Sequence, residues 1–166
     1  LGLKFPTWLG GFLTGHAPGT SSYSQNAAFW IDIIRRRRDR YRTGFTDAAV
    51  LSLVGPNEVV RVLDAGCGEG YLSRLLAKRG AEVVGVDTNV ELIKAARQEA
   101  TRLGLAVDHL VADTGALPIE FVGGFDVVVL NHVVNDLEDP APTFLEAARV
   151  LRPGGRVVAL MLHPCF

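Results

Sequence analysis

The sequence predicts an α/β fold: a doubly wound parallel sheet with helices on both faces, preceded by a helical segment. Three observations carry this. Strand-like and helix-like segments alternate five times from about residue 59 onward, the pattern of a parallel sheet with right-handed crossovers. The strand segments are near-continuous apolar runs, such as Val127-Val128-Val129-Leu130, which suit strands buried on both faces. And Val62-Leu63-Asp64-Ala65-Gly66-Cys67-Gly68-Glu69-Gly70-Tyr71-Leu72 reads as a strand, a tight turn with three glycines at alternate positions, and a helix N-terminus.

The elements follow in order. Residues 1–22, rich in Gly, Pro, Thr and Ser, read as an irregular arm. A helix is predicted from Ser24 as N-cap, with Ala27, Ala28, Ile31, Ile34 and later Tyr41 at roughly helical spacing. A second short helix is predicted from Thr46 to Val54, capped by Thr46 and ended by Gly55-Pro56-Asn57. Strands are then expected at Val59–Ala65, Glu82–Asp87, Val107–Ala112, Phe125–Leu130 and Arg156–Leu162. The helices between them are expected at Glu69–Arg79, Val90–Leu103 and Ala141–Leu151, closed by Gly80, Gly104 and Pro153-Gly154-Gly155. This divides the chain into an arm and lid helix over 1–45 and a sheet core over 46–166.

With 48% hydrophobic and 21% charged residues the chain has the composition of a folded domain, which excludes disorder. Its net charge of −1 gives no general argument for a nucleic acid or a membrane surface as partner. The apolar stretch Leu1–Thr14 is interrupted by Lys4, Pro6 and glycines, and is too short to span a bilayer. Cys67 and Cys165 form no disulfide framework, so a reducing cytoplasm is expected. The run Arg35-Arg36-Arg37-Arg38, with Arg40 and Arg42 behind it, points around most of a helix and reads first as solvated surface. The alternative is a clamp for an anionic substrate; RNA is disfavoured because no aromatic-studded basic stretch accompanies the run.

The glycine turn favours S-adenosylmethionine over a dinucleotide. The dinucleotide fingerprint G-x-G-x-x-G is not met, since the third glycine comes one position early at Gly70. Asp64 at the mouth of the turn would repel a pyrophosphate by roughly 1–4 kcal/mol at about 4 Å near a surface, but would attract the ammonium of a methionine moiety. Polar residues stand at the other strand ends too. Asp87, 17 residues after Gly70, can take both ribose hydroxyls. Asp113-Thr114 can accept from an exocyclic amine, and Asn131-His132 and His163-Pro164 end the last two strands.

On these residues the chain resembles the class I S-adenosylmethionine-dependent methyltransferases, in the style of their ubiquinone-biosynthesis and natural-product branch. Val62–Leu72 is similar to the family's first motif, and Val83–Asp87 with Thr88-Asn89 to its acidic-loop motif. Ala112-Asp113-Thr114 with Leu117-Pro118 resembles the adenine-side motif, Phe125 through Asn131 the fourth, and Leu151-Arg152-Pro153-Gly154-Gly155 the turn before strand five. The resemblance covers about residues 45–162. It implies a Rossmann-like sheet of order 3-2-1-4-5 with an N-terminal helical lid. The family's strands six and seven have no counterpart here, which reads as a fragment with an exposed fifth strand, prone to pair as a homodimer.

The resemblance also implies roles. Asp64, Gly66 and Gly68, with Cys67 between them, would hold the methionine end. Asp87 would hold the ribose with Thr88 beside it, Leu92 would lie against the adenine, and Asp113 and Thr114 would read the adenine edge. Asn131 would meet the amino group through its backbone carbonyl. Arg42, with Tyr41 and with Arg38 behind, would reach the carboxylate from the lid. The expected activity is methyl transfer to a small-molecule acceptor by displacement at the sulfonium methyl, without nucleic acid or membrane. His163 is the first candidate for a base and His132 the second. No metal site is expected, because four scattered histidines and two distant cysteines lack ligand spacing. A non-catalytic S-adenosylmethionine-binding domain and a nicotinamide-dependent oxidoreductase are the alternatives.

Overall fold

Every apolar run predicted as a strand forms one. The computed structural model describes residues 26–36, 38–55 and 60–161. Helix α1 (Ala27–Arg35) is followed by a π-helical turn, Arg42–Thr46, that runs directly into α2 (Asp47–Val54). Then come β1 (Arg61–Ala65), α3 (Tyr71–Lys78), β2 (Glu82–Asp87), α4 (Val90–Arg102), β3 (Val107–Val111), β4 (Phe125–Asn131), α5 (Ala141–Val150) and β5 (Leu151–Leu160). The five strands form one sheet of order β3-β2-β1-β4-β5, and all its pairings are parallel. The expected order 3-2-1-4-5 is thus observed.

Side chains alternate across the pleat, and the two faces bury different partners. Val62, Val83, Val127 and Val129 pack against Val50 and Val54 of α2 and Leu72 and Leu76 of α3. Leu63, Val84, Val86, Val128 and Leu130 pack on the opposite face, against Phe121 and the α5 residues Ala147 and Val150. Burying each such aliphatic side chain contributes about 1.5–3 kcal/mol, so the strands that carry the site are its most firmly held parts. β1 pairs with β2 on one side and with β4 on the other. The crossovers therefore reverse direction there, and a crevice opens beyond the carboxyl ends of β1 and β4.

Several boundaries differ from expectation for identifiable reasons. The first helix stops at Arg35, well short of Tyr41. Beyond it the arginines would be their own i+3 and i+4 neighbours, a repulsive arrangement on a helix. Asp39 restarts helical structure instead: its carboxylate accepts from the Arg42 N–H at 3.0 Å, as an N-cap does. Thr46 makes no side-chain cap, because the chain before it is already helical and leaves no free N-terminus. Helix α3 starts at Tyr71 rather than Glu69, since Gly70 at φ 76° cannot continue a right-handed helix. β5 begins early. Leu151 already pairs with Phe125, the register then shifts, and Val127 pairs with Arg156. Arg152 to Gly155 therefore form a bulge inside the strand rather than a turn before it. Ser24, part of the Gly55-Pro56-Asn57 stop, and Leu162 lie outside the described residues.

Candidate functional site

A cavity of about 220 Å³ occupies the crevice and is lined by eleven of the predicted site residues, whereas Tyr41 and Arg38, the other lid candidates, are exposed and do not line it. From the glycine turn come Asp64, Gly66, Cys67 and Gly68. Asp87, Thr88 and Leu92 come from the end of β2 and the start of α4, Asp113 and Thr114 from beyond β3, and Asn131 from the end of β4. Arg42 reaches the cavity from the π-helical turn. His163 lies outside the described residues.

The glycine turn is held open by its neighbours. At Gly66, φ is 79°, and a Cβ there would fall 2.3 Å from a γ-methyl of Val133, so a side chain is excluded both by backbone and by packing. Gly68, at φ 56°, faces open space instead. Its N–H donates to Asp87 Oδ2 at 2.9 Å, while Asp87 Oδ1 accepts from the Asn89 N–H at 2.8 Å. Asp87 is therefore not the free carboxylate that the sequence suggested. It ties the turn after β1 to the turn after β2, and the carboxylate keeps acceptor capacity for a ligand hydroxyl. Asn89 in turn caps α4, accepting from the Glu91 and Leu92 N–H groups.

The carboxylates sit in unlike surroundings. Asp64 is only 1% exposed; its Oδ2 accepts from the Ser73 hydroxyl at 2.5 Å. Burial pushes its pKa from 3.8 up to about 6, against the lowering effect of the Ser73 hydrogen bonds. Asp87 is also raised by burial, partly offset by the backbone N–H groups it accepts from. Asp113 is exposed, and its Oδ1 accepts from the Gly115 N–H at 2.8 Å. Thr114 lines the cavity, and its hydroxyl shares a hydrogen bond with that of Thr143 on α5 at 2.9 Å, which braces the loop after β3. The Cys67 thiol is pushed well up by burial and by Asp64 and Asp87, which disfavours its thiolate. Asn131 Oδ1 is buried without a hydrogen-bond partner among the described residues, an acceptor that lacks its donor.

The cavity has walls that the sequence reading missed. Trp30 and Ile34, one helical turn apart on α1, close one side, and Glu69, Tyr71 and Val133 contribute others. The i, i+4 spacing of Trp30 and Ile34 was the available signal. His132 also lines the cavity and is the one non-glycine residue with positive φ, 63°, among the described residues. Its N–H donates to the Leu160 carbonyl at 2.9 Å, which fixes this turn to β5. Burial, and then the nearby Arg42, lower its pKa, so the imidazole is neutral near pH 7. Its ring lies 6.4 Å from that of Tyr41. Arg42 is paired with Asp39 at 3.0 Å. Among the described residues no group of three or more His, Cys, Asp or Glu is placed to hold a metal ion, and no helix is long and apolar enough to cross a membrane.

A parallel sheet of this order, with a glycine turn after its first strand and acids at three successive strand ends, defines a Rossmann-like domain with its ligand cleft at the topological switch point. The chain belongs to a methyltransferase family: residues 63–159 match the family described as "Methyltransferase domain". A ubiquinone biosynthesis O-methyltransferase of Xanthomonas oryzae pv. oryzae is 37% identical over 116 residues, 70% of this chain and 47% of the relative. One of the same description from Xylella fastidiosa is 32% identical over 154 residues, 93% of this chain and 55% of the relative. The chain thus spans about half the length of these relatives. Among solved structures, the PH0226 protein of Pyrococcus horikoshii is similar at TM-score 0.64 and 31% identity, over 73% of this chain and 57% of that one. A SAM-dependent methyltransferase from Aquifex aeolicus is similar at TM-score 0.63 and 26% identity, over 74% and 68%.

Proposed function

We propose that the protein binds S-adenosylmethionine in this cavity and transfers its methyl group to a hydroxyl of a small organic acceptor. The observation that carries the reading is the set of three strand-end acids, Asp64, Asp87 and Asp113, gathered with Asn131 around one glycine turn. Their chemistry fits a cationic amino acid joined to a nucleoside. The buried Asp64 supplies negative potential for an ammonium, and the unpartnered Asn131 Oδ1 offers that ammonium an acceptor. Asp87 retains acceptor capacity for a ribose hydroxyl. Leu92 gives an apolar wall for a purine, and Asp113 an acceptor for its amine. The relatives named as O-methyltransferases support a hydroxyl acceptor.

Bound S-adenosylmethionine supplies an electrophilic methyl carbon on a sulfonium. The chain's own contribution is positioning and water exclusion by α1 and the glycine turn, and a base where the acceptor must lose a proton. His132, neutral and facing the cavity, suits that role among the described residues; His163 remains the other candidate. Arg42 is the candidate partner for the carboxylate, once released from Asp39. A cytoplasmic location and pairing of two copies belong to the same proposal; nucleic acid is not part of it. The experiment is calorimetry with S-adenosylhomocysteine, followed by transfer of labelled methyl from S-adenosylmethionine to a panel of phenols and catechols. Binding with transfer supports the enzyme, binding alone a non-catalytic S-adenosylmethionine-binding domain, and neither refutes the reading.

A further inference from the structure

Helix α1 forms part of the cavity wall, yet it contains no fully buried residue. Trp30, Ile31, Ile33 and Ile34 are only half-buried, and Phe29 is 57% exposed. Apolar packing alone therefore holds it weakly. Its charged residues divide cleanly. Asp32 pairs with Arg36 and Arg38 beside it in the chain. Arg35 instead reaches across to the core. Its Nε donates to Glu69 Oε2 at 3.3 Å, its Nη2 donates to the Ala95 carbonyl at 3.0 Å, and its Nη1 lies 3.9 Å from Glu99 Oε2.

Glu69 belongs to the glycine turn, and its side chain is 1% exposed. Arg74 grips it from below: Nη2 donates to Glu69 Oε1 at 2.6 Å and Nη1 to the Glu69 carbonyl at 2.5 Å. That pair leaves one carboxylate oxygen facing outward, and Arg35 takes it. The same carboxylate is thus fixed by α3 on one side and by α1 on the other.

We propose that Arg35 is a positioning residue for the cofactor cleft: through Glu69, Glu99 and the Ala95 carbonyl it latches α1 shut across the cavity, so that closure of the cleft and order of the glycine turn are one event. This rests on the cofactor reading above for the identity of the ligand, but not for the latch itself. Arg35 is the group to vary, because the buried Glu69–Arg74 pair stays intact without it, whereas removing Glu69 would strand Arg74. A guanidinium makes several directed bonds where an ammonium makes a point contact, so Arg35→Lys should restore the function only in part.

The test compares wild type, Arg35→Ala, Arg35→Lys and Asp87→Ala, using stopped-flow dissociation of S-adenosylhomocysteine and hydrogen exchange of residues 27–36. Arg35→Ala is expected to speed dissociation at least tenfold and to raise exchange in α1, with the association rate little changed and Arg35→Lys in between. Wild-type dissociation should quicken with added salt, and that of Arg35→Ala should not. Asp87→Ala should speed dissociation without raising exchange in α1. Wild-type dissociation and exchange in Arg35→Ala would overturn the latch, and raised exchange with an unchanged dissociation rate would overturn its coupling to the ligand. If the wild type fails to bind S-adenosylhomocysteine, the cofactor reading falls, while the exchange difference between wild type and Arg35→Ala still decides the latch.

Discussion

Replacing Asp64 by Asn should make the protein more stable and a poorer binder, a combination that separates a ligand group from a structural one. The buried carboxyl has its pKa moved from 3.8 to about 6. Between those values the folded chain holds more protons than the unfolded chain, so stability falls as pH rises through this window. Above pH 6 the penalty is complete. Roughly two pKa units at about 1.4 kcal/mol each give about 3 kcal/mol as its upper size. Asparagine is isosteric, and its carboxamide can keep the hydrogen bond to the Ser73 hydroxyl. At pH 7.5 the ligand-free Asp64→Asn chain is expected to gain up to about 3 kcal/mol in denaturant unfolding, shrinking toward zero below pH 4. Its affinity for S-adenosylhomocysteine should fall by roughly 1–3 kcal/mol, because the charge that answers the ammonium is gone. Wild-type affinity should weaken as pH drops from 7.5 to 5, and the Asn variant should show little such dependence. A variant that is no more stable at pH 7.5, or that binds with wild-type affinity, would refute the reasoning.

Other outcomes follow from the same geometry. Asp87→Ala removes the acceptor of the Gly68 and Asn89 N–H groups as well as the ribose contact, so it should cost about 2–4 kcal/mol of S-adenosylhomocysteine affinity by calorimetry and about 1–2 kcal/mol of stability. Gly66→Ala collides with Val133 and should lower the melting temperature clearly, whereas Gly68→Ala, facing open space, should cost only about 1–2 kcal/mol of backbone strain but weaken ligand binding. By NMR, His109 should titrate near pH 4, since burial and the Arg74 and Arg97 guanidiniums disfavour its charged form, and His132 below its ordinary value. For both imidazoles the depressed pKa contributes stability above the ordinary value near 6.5, lost as pH falls through the folded value. His109→Gln should flatten that acid limb in pH-dependent unfolding.

What the sequence made legible were features set by short-range pattern. The apolar runs, the glycine turn and a polar residue at each strand end are local, and the parallel sheet then has little choice but to bring those ends together. What stayed hidden depends on the side chain across the gap. That the Thr114 hydroxyl also bonds Thr143, 29 residues on, could not be read from its own neighbours in the chain. Asp87 looked free until the Gly68 and Asn89 N–H groups occupied part of both oxygens. The arginine run read first as solvated surface, and its described residues Arg35, Arg36 and Arg38 are exposed; that Arg35 nonetheless reaches Glu69, and that Asp39 caps the next helical turn, depended on partners across the gap. Leu151 entered the sheet before the Pro-Gly-Gly segment because Phe125 was there to pair with it.

The most direct test of the central claim is a crystal structure of the protein grown with S-adenosylhomocysteine. The ligand is expected in the crevice beyond β1 and β4, its amino group between the glycine turn and Asn131, its ribose hydroxyls on Asp87, and its adenine between Leu92 and Asp113. Ligand density elsewhere on the molecule, or in the crevice with the ribose away from Asp87, would contradict it.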